Sequence, residues 1–457
     1  MAQTKERRIR CDSSSAAETV ADVEELLTKI LVSVPPRSLV RFKCVSKHWL
    51  TLISDPGFFR RQTHQKSKIS GFFSSKTEDE FFKSIALRDR EIPSGNPFKT
   101  INDSFADGSK LRILQSCNGL FLCHIPIVDV LEEGKHHPLY VVNPTTNQFR
   151  ALSCPSSEAW DPFMFVRYAL AFNPSKSPHY KVICVNNFPY CYDRGQHEID
   201  IYSSETGEWK RLEVPFFPSP SDVGRHHDFV QKAMHFDYRS RKGAVYCNGA
   251  VHWIRDRREA IFPLRFFGDG RSELVRNETD VLHYFDIGEE RLGLVSATPP
   301  VPLVVKNIPL DFGSCPTEWP RLAQRYFGES GGHLYLIETY QHCKTQFDVM
   351  EMERDYSGWF VKYHVDLNPL FTALPDSNAF VVLSLSQEEE NDNEEDYSGD
   401  LLLHMPGKVL TYSLRNKAFK KSVELANKEY FLALDDEYLR HEVVLFPYIE
   451  SLACVGR

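Results

Sequence analysis

Three groups of residues in this 457-residue chain have the types and spacing that chemistry uses. Gly328-Glu329-Ser330-Gly331-Gly332 satisfies G-x-S-x-G, the pattern by which hydrolases expose a nucleophilic serine on a sharp strand-to-helix turn. Such a turn needs a helix after the serine to supply oxyanion donors. The residues that follow, His333-Leu-Tyr-Leu-Ile337, alternate as a strand does, so the glycines predict a hairpin turn. His136-His137 and His226-His227 lie in loop-like sequence without H-E-x-x-H or cysteine spacing, which leaves zinc short of ligands. Trp209, Trp253 and Trp359 could stack on a sugar or base, but they sit at strand positions and are expected to pack between sheets. With no phosphate-binding loop and no dinucleotide fingerprint, neither cofactor nor metal is expected.

Composition narrows the class further. The 54 basic residues against 62 acidic ones leave a formal charge of −8, which argues against a nucleic-acid binder, since that needs a basic face to displace counterions. An apolar fraction of 42% with 25% charged residues is ordinary for a globular protein. The 11 cysteines are odd in number and never form C-x-x-C, which fits a reducing compartment, cytosol or nucleus. No run approaches the ~18 apolar residues that span a bilayer. Residues 1–20 lack an apolar export core and read as a disordered tail, with Lys5, Arg7, Arg8 and Arg10 solvated. Asn102-Asp103-Ser104 and Asn277-Glu278-Thr279 match the glycosylation pattern but should stay bare without export.

The elements fall into two blocks. Over residues 21–65 the apolar groups recur every three or four positions. Val23, Leu26, Leu27, Ile30, Leu31 and Val34 make one helix face, with Asp22 and Glu25 at its start. Pro35-Pro36 ends that helix. Leu39, Phe42 and Val45 continue in a second helix, and Trp49, Leu52 and Ile53 in a third. Ser46 is placed to cap the third helix, and Asp55-Pro56 to open a fourth. Three to four helices in so few residues cannot bury an adequate core alone.

These helices resemble the F-box, through which substrate receptors dock on the Skp adaptor of a cullin-based ubiquitin ligase. The matching residues run from Pro35 through Ser38, Leu39, Arg41, Val45, Lys47 and Trp49. Val34 stands where the family has Leu, and Asp22-Val23 where it usually opens with Leu-Pro. The resemblance implies an adaptor seam of Leu26, Leu27, Ile30, Leu31, Pro35, Leu39, Val45 and Trp49.

From residue 66 to 457 the period changes to two. Asn118-Gly119 and Asn248-Gly249 sit between apolar runs, as does Gly331-Gly332, and each predicts a tight hairpin. A strand, a polar turn and a strand opening on a large residue then recur, around Tyr140, Ile201, Tyr284, Val349 and Thr411. Four-stranded units repeated in this way predict a β-propeller of about six kelch-like blades. The last blade would form from strands over 430–434 and 442–452, with one near 69–73 closing the ring. The acidic stretch 387–400 is expected to be a disordered loop, having nothing to bury.

Several blocks here are also similar to the kelch-type F-box-associated domain of a large plant family: Ser116-Cys-Asn-Gly-Leu120, Asn143-Pro-Thr-Thr146, the stretch 172–182, Asn248-Gly-Ala-Val-His-Trp253 and Tyr448-Ile-Glu-Ser-Leu452. The two resemblances together imply a multi-domain chain, small all-α then all-β. They also imply a non-catalytic substrate receptor, joined through the Skp-type adaptor to cullin and RING subunits and holding an unknown target protein. An interaction scaffold whose helices merely cap its own propeller is the alternative. A propeller enzyme or lectin is a third reading.

Overall fold

A computed structural model of the chain describes residues 24–63, 69–75, 83–87, 98, 111–125, 139–153, 165–187, 197–212, 244–254, 264–266, 272–274, 282–295, 299–303, 322–340, 343–373, 380–389, 397–424 and 444–456. The tail over 1–20, both histidine pairs, the two Asn-x-Ser/Thr sites and the strand expected over 430–434 lie outside the described residues.

Among the described residues four helices come first: α1 Glu24–Val32, α2 Pro36–Phe42, α3 Lys47–Ser54 and α4 Pro56–Thr63. Local chemistry sets their ends. Pro36 occupies the first turn of α2, where its missing amide loses nothing. The Ser46 hydroxyl accepts from the Trp49 amide at 3.1 Å, and Asp55 Oδ1 accepts from the Phe58 amide at 3.0 Å. Both expected caps therefore form, each satisfying an amide with no partner inside its helix.

The rest is built of antiparallel sheets whose strands follow in chain order. Blade one is Arg112–Cys117, Leu120–His124, Leu139–Asn143 and Gln148–Leu152; blade two is Phe165–Ala171, Lys181–Asn187, His197–Ser203 and Glu208–Arg211. Blade three is Val245–Cys247, Ala250–Ile254, Leu282–Asp286 and Arg291–Val295. Blade four is Leu322–Ser330, His333–Tyr340, Gln346–Met352 and Trp359–Asp366; blade five is Val381–Glu389, Tyr397–Met405, Lys408–Ser413 and Ala418–Glu424. A two-stranded hairpin, Leu264–Phe266 with Ser272–Leu274, and a short helix α5, Asn368–Ala373, were not expected from the sequence.

The hairpin turns have the backbone their dipeptides require. Asn118 and Gly119 have φ of 46° and 88°, Asn248 and Gly249 of 49° and 91°, and Gly331 and Gly332 of 59° and 79°. Positive φ at both central residues makes the type I′ turn, whose twist matches the flanking strands. Ser330 thus ends one strand and His333 begins another, so G-x-S-x-G is here a hairpin and not a nucleophile elbow.

Two expectations are corrected. The described residues form five four-stranded blades, not six, and the two ends of the domain meet in a three-stranded sheet of order Lys83–Ala86, Ile69–Ser75, Val444–Ile449. The closing sheet is assembled from opposite ends of the chain, so it has no local strand–turn–strand repeat of its own. The closure expected between 69–73 and 442–452 does form: pairing Ile69–Ser75 with Val444–Ile449 removes the sheet edge that an open ring would leave. The stretch 387–400 is strand at both ends, pairing as far as Glu389 with Tyr397, and only 390–396 lies between. An antiparallel ladder satisfies its own backbone however polar its side chains are.

First strands of neighbouring blades lie side by side, and the bonds from Gln115 to Leu170 and from Cys117 to Phe172 advance along both strands in the same sense, as do those joining Gln324 to Val382 and Tyr326 to Leu385. Cys117 donates its thiol to the Phe172 carbonyl at 3.4 Å, and Asn248 Nδ2 donates to the Gly332 carbonyl at 2.7 Å. The tight turns joining first to second strands therefore share one side of the ring. That side carries the helices.

Candidate functional site

Among the described residues no three His, Cys, Asp or Glu side chains gather as metal ligands would. Trp253 is buried with Ile183, Val251 and Phe285, and the Trp209 indole donates to the Ser153 carbonyl at the end of blade one. Trp359 packs against Leu334 and Met352. These tryptophans sit in blade packing.

The helices sort their apolar side chains into two sets. Leu27, Leu31 and Leu39 are 4%, 1% and 0% exposed and pack with Ile53, Phe58 and Phe59. Leu26 and Ile30, one position earlier on the turn of α1, are 41% and 48% exposed. Residues four apart stack on one face, so Leu26 and Ile30 form an outward stripe, flanked by the Glu25–Lys29 ion pair at 2.9 Å. Val45 and Leu50 are exposed on either side of the α3 cap. Pro35 and Trp49 are half-buried; the Trp49 ring meets Phe42 edge-on at 5.5 Å, which holds its indole in one orientation. Of the eight seam residues read from sequence, three thus lie inside, three outside and two between. Leu50, outward as well, was not among those eight; its one signal was an apolar residue off the Trp49, Leu52, Ile53 stripe.

Behind the helices lies an irregular segment, residues 450–455. Ser451, Leu452, Ala453 and Val455 are buried, and a buried segment outside any ladder must find partners for its peptide groups. Side chains supply them. Asn143 Nδ2 donates to the Ser451 and Ala453 carbonyls at 3.0 and 2.7 Å. The Ser451 amide donates to Thr145 Oγ1 at 3.0 Å, and the Tyr180 hydroxyl donates to the Val455 carbonyl at 3.0 Å. Burial pushes the Tyr180 hydroxyl pKa well above its ordinary value, so it stays a donor at neutral pH.

Two family models match in tandem: the F-box domain over residues 23–61, and the F-box associated beta propeller domain over residues 82–303. Over 97% of its length the chain is also 31% identical to the F-box protein At5g07610 of Arabidopsis thaliana, spanning 94% of that protein. The chain belongs to the plant F-box proteins that carry an F-box-associated β-propeller. The F-box/kelch-repeat protein At3g17530 of the same plant is 24% identical over 53% of this chain and 56% of its own. The β-propeller domain of a Pyrococcus furiosus protease aligns at TM-score 0.26 and 10% identity over 68% of this chain and 84% of that one, too loosely to bear on function.

The F-box here is α1 to α4, and it does not stand free. Leu27, Leu31, Leu39, Phe58 and Phe59 belong to the same apolar cluster as Leu122, Val141 and Tyr180 of the propeller and Leu452 and Val455 of the irregular segment. The Arg37 amide donates to Glu450 Oε2 at 3.3 Å. Burial lowers the Lys43 ammonium pKa. The propeller model ends at residue 303, after blade three, whereas the alignment to the Arabidopsis protein runs on through blades four and five.

Proposed function

We infer that this F-box protein is the target-recognition subunit of a Skp–cullin–F-box ubiquitin ligase. The observation that carries this reading is the outward apolar set of Leu26, Ile30, Val45 and Leu50, on helices whose other large apolar groups are buried or half-buried. These four residues, with the edges of Pro35 and Trp49, dock on the Skp-type adaptor. Leu27, Leu31 and Leu39 hold that face from behind. Cullin and RING subunits follow through the adaptor, and the compartment is the cytosol or nucleus.

The receptor performs no chemistry of its own. Holding a target lysine close to a recruited ubiquitin thioester raises its effective concentration, and proximity of that kind replaces an acid, base or nucleophile in the receptor. The target sits on the side of the propeller away from the F-box. Strands ending at His124, Leu152, Asn187, Arg211 and Ile254 present their ends on that side, and residues carried at the ends of strands on a rigid ring are where recognition resides.

The test is gel filtration of the full chain with the Skp adaptor. Wild type should elute as a stoichiometric complex. Ile30→Asp with Val45→Asp should abolish it while circular dichroism and melting stay unchanged, and Trp49→Ala should weaken it by ~2 kcal/mol. A folded wild-type chain that forms no complex would sink the reading. The second reading, helices that only cap their own propeller, draws on the shared apolar cluster. It expects no complex even with the wild-type chain, and removal of residues 1–65 to destabilise the remainder.

A further inference from the structure

We propose that residues 450–455 are a strut that locks the F-box to blades one and two as a single rigid body. Blocks far apart in the sequence, with no chemistry of their own, converge on this segment. Gly119 of Ser116-Cys-Asn-Gly-Leu120 lies so close to it that a Cβ would run into Ser451 and the Ile449 carbonyl, and its φ of 88° disfavours any other residue. Asn143 and Thr145 of Asn143-Pro-Thr-Thr146 take up three of its backbone groups. Tyr180 of the 172–182 stretch takes a fourth. Thr145 Oγ1 also lies 3.1 Å from the Tyr448 hydroxyl, which anchors the strand from which the segment emerges. These residues form a cradle around this one segment.

The other side of the segment meets the helices. Glu450 accepts from the Arg37 amide at the start of α2, and Leu452, Ala453 and Val455 join the F-box cluster. The segment is thus sandwiched, with its polar backbone spent on the propeller and its apolar side chains shared with both. Four bonds from three propeller side chains, with a fifth from Glu450 to α2, leave no hinge over so short a stretch. The F-box cannot turn without exposing Leu31, Leu39 and Phe58 together with the strut. The strut's role goes beyond adaptor docking and does not require it.

Amide hydrogen exchange on the full chain, without adaptor, tests this. Asn143→Ala with Tyr180→Phe removes three of the anchoring bonds. Exchange in 450–455 and in α1 to α4 should then rise together by roughly tenfold or more, while blades three to five keep their protection. Small-angle scattering should show a larger radius of gyration. Faster exchange in 450–455 alone would overturn the proposal, and so would a uniform rise across all blades, which would make these bonds general blade staples. If that variant fails to fold, Glu450→Ala decides. It leaves the cradle intact and should speed exchange at the start of α2; unchanged exchange there overturns the strut.

Discussion

The side chain of Gln115 in blade one holds the backbone of Leu170 in blade two at both ends. Gln115 Nε2 donates to the Leu170 carbonyl at 2.9 Å, and the Leu170 amide donates to Gln115 Oε1 at 2.7 Å. Gln324 does the same to Val382 between blades four and five, with both bonds at 3.0 Å. Each glutamine follows a register shift in its strand, and the extra residue of a bulge re-aims the side chain toward the next blade. The amide thereby mimics one rung of a ladder between strands that do not pair.

Gln115→Leu should therefore destabilise the propeller by about 2 to 3 kcal/mol, because it leaves the Leu170 amide and carbonyl buried and unpaired. Gln324→Leu should act alike through Val382. Urea unfolding of the two single variants and the double variant checks both size and additivity, which is expected for sites this far apart.

Arg325 and Glu338 form an ion pair with side chains 1% and 0% exposed, and the Tyr340 hydroxyl donates to the second carboxylate oxygen at 2.8 Å. Glu338→Gln should lower stability by roughly 3 to 5 kcal/mol, since it strands a buried guanidinium. Arg325→Met with Glu338→Leu should recover most of that loss in the same melt. A single variant as stable as wild type would show that water reaches the pair.

His252 makes stability depend on acid. Its Nδ1 lies 3.2 Å from the Val245 carbonyl, which can only accept, so the proton sits on Nδ1 and Nε2 accepts from the Tyr356 hydroxyl at 2.7 Å. Burial lowers its pKa from 6.5 to about 4, and His404 is lowered likewise to about 4. The unfolded chain takes up protons first as pH falls, so stability is full above pH 6.5 and is lost progressively toward pH 4. Unfolding free energies at pH 7.5, 6 and 5 should fall in that order, and His252→Gln should flatten the slope.

Leu39→Ala and Ile30→Asp separate folding from docking. Leu39 is fully buried, so truncation should lower stability by ~2 to 5 kcal/mol through lost burial and a cavity. Ile30 is half-exposed, and its replacement should leave the melt within ~0.5 kcal/mol of wild type. Loss of adaptor binding in the Ile30 variant alone would assign the outward stripe to the partner.

What the sequence determined by itself was whatever rests on neighbours in the chain. Ser46 and Asp55 cap their helices, Pro36 opens α2, and Asn118-Gly119 and Asn248-Gly249 turn their hairpins, because each outcome depends on a few consecutive residues and their permitted φ. The two-block organisation and the repeat were legible for the same reason. Only the tertiary structure decided which of Leu26 and Leu27 faces outward, since both carry the same side chain and the choice is made by Phe58 and Phe59 packing behind one of them. It likewise decided that Lys83–Ala86 adds a third strand to the closing sheet, that Gln115 reaches Leu170, and that residues 450–455 lie in the Asn143–Tyr180 cradle. Those contacts join residues tens to hundreds of positions apart. No local periodicity encodes them, because the partner that satisfies a buried peptide group or covers an apolar face is chosen only when the chain has closed into its ring.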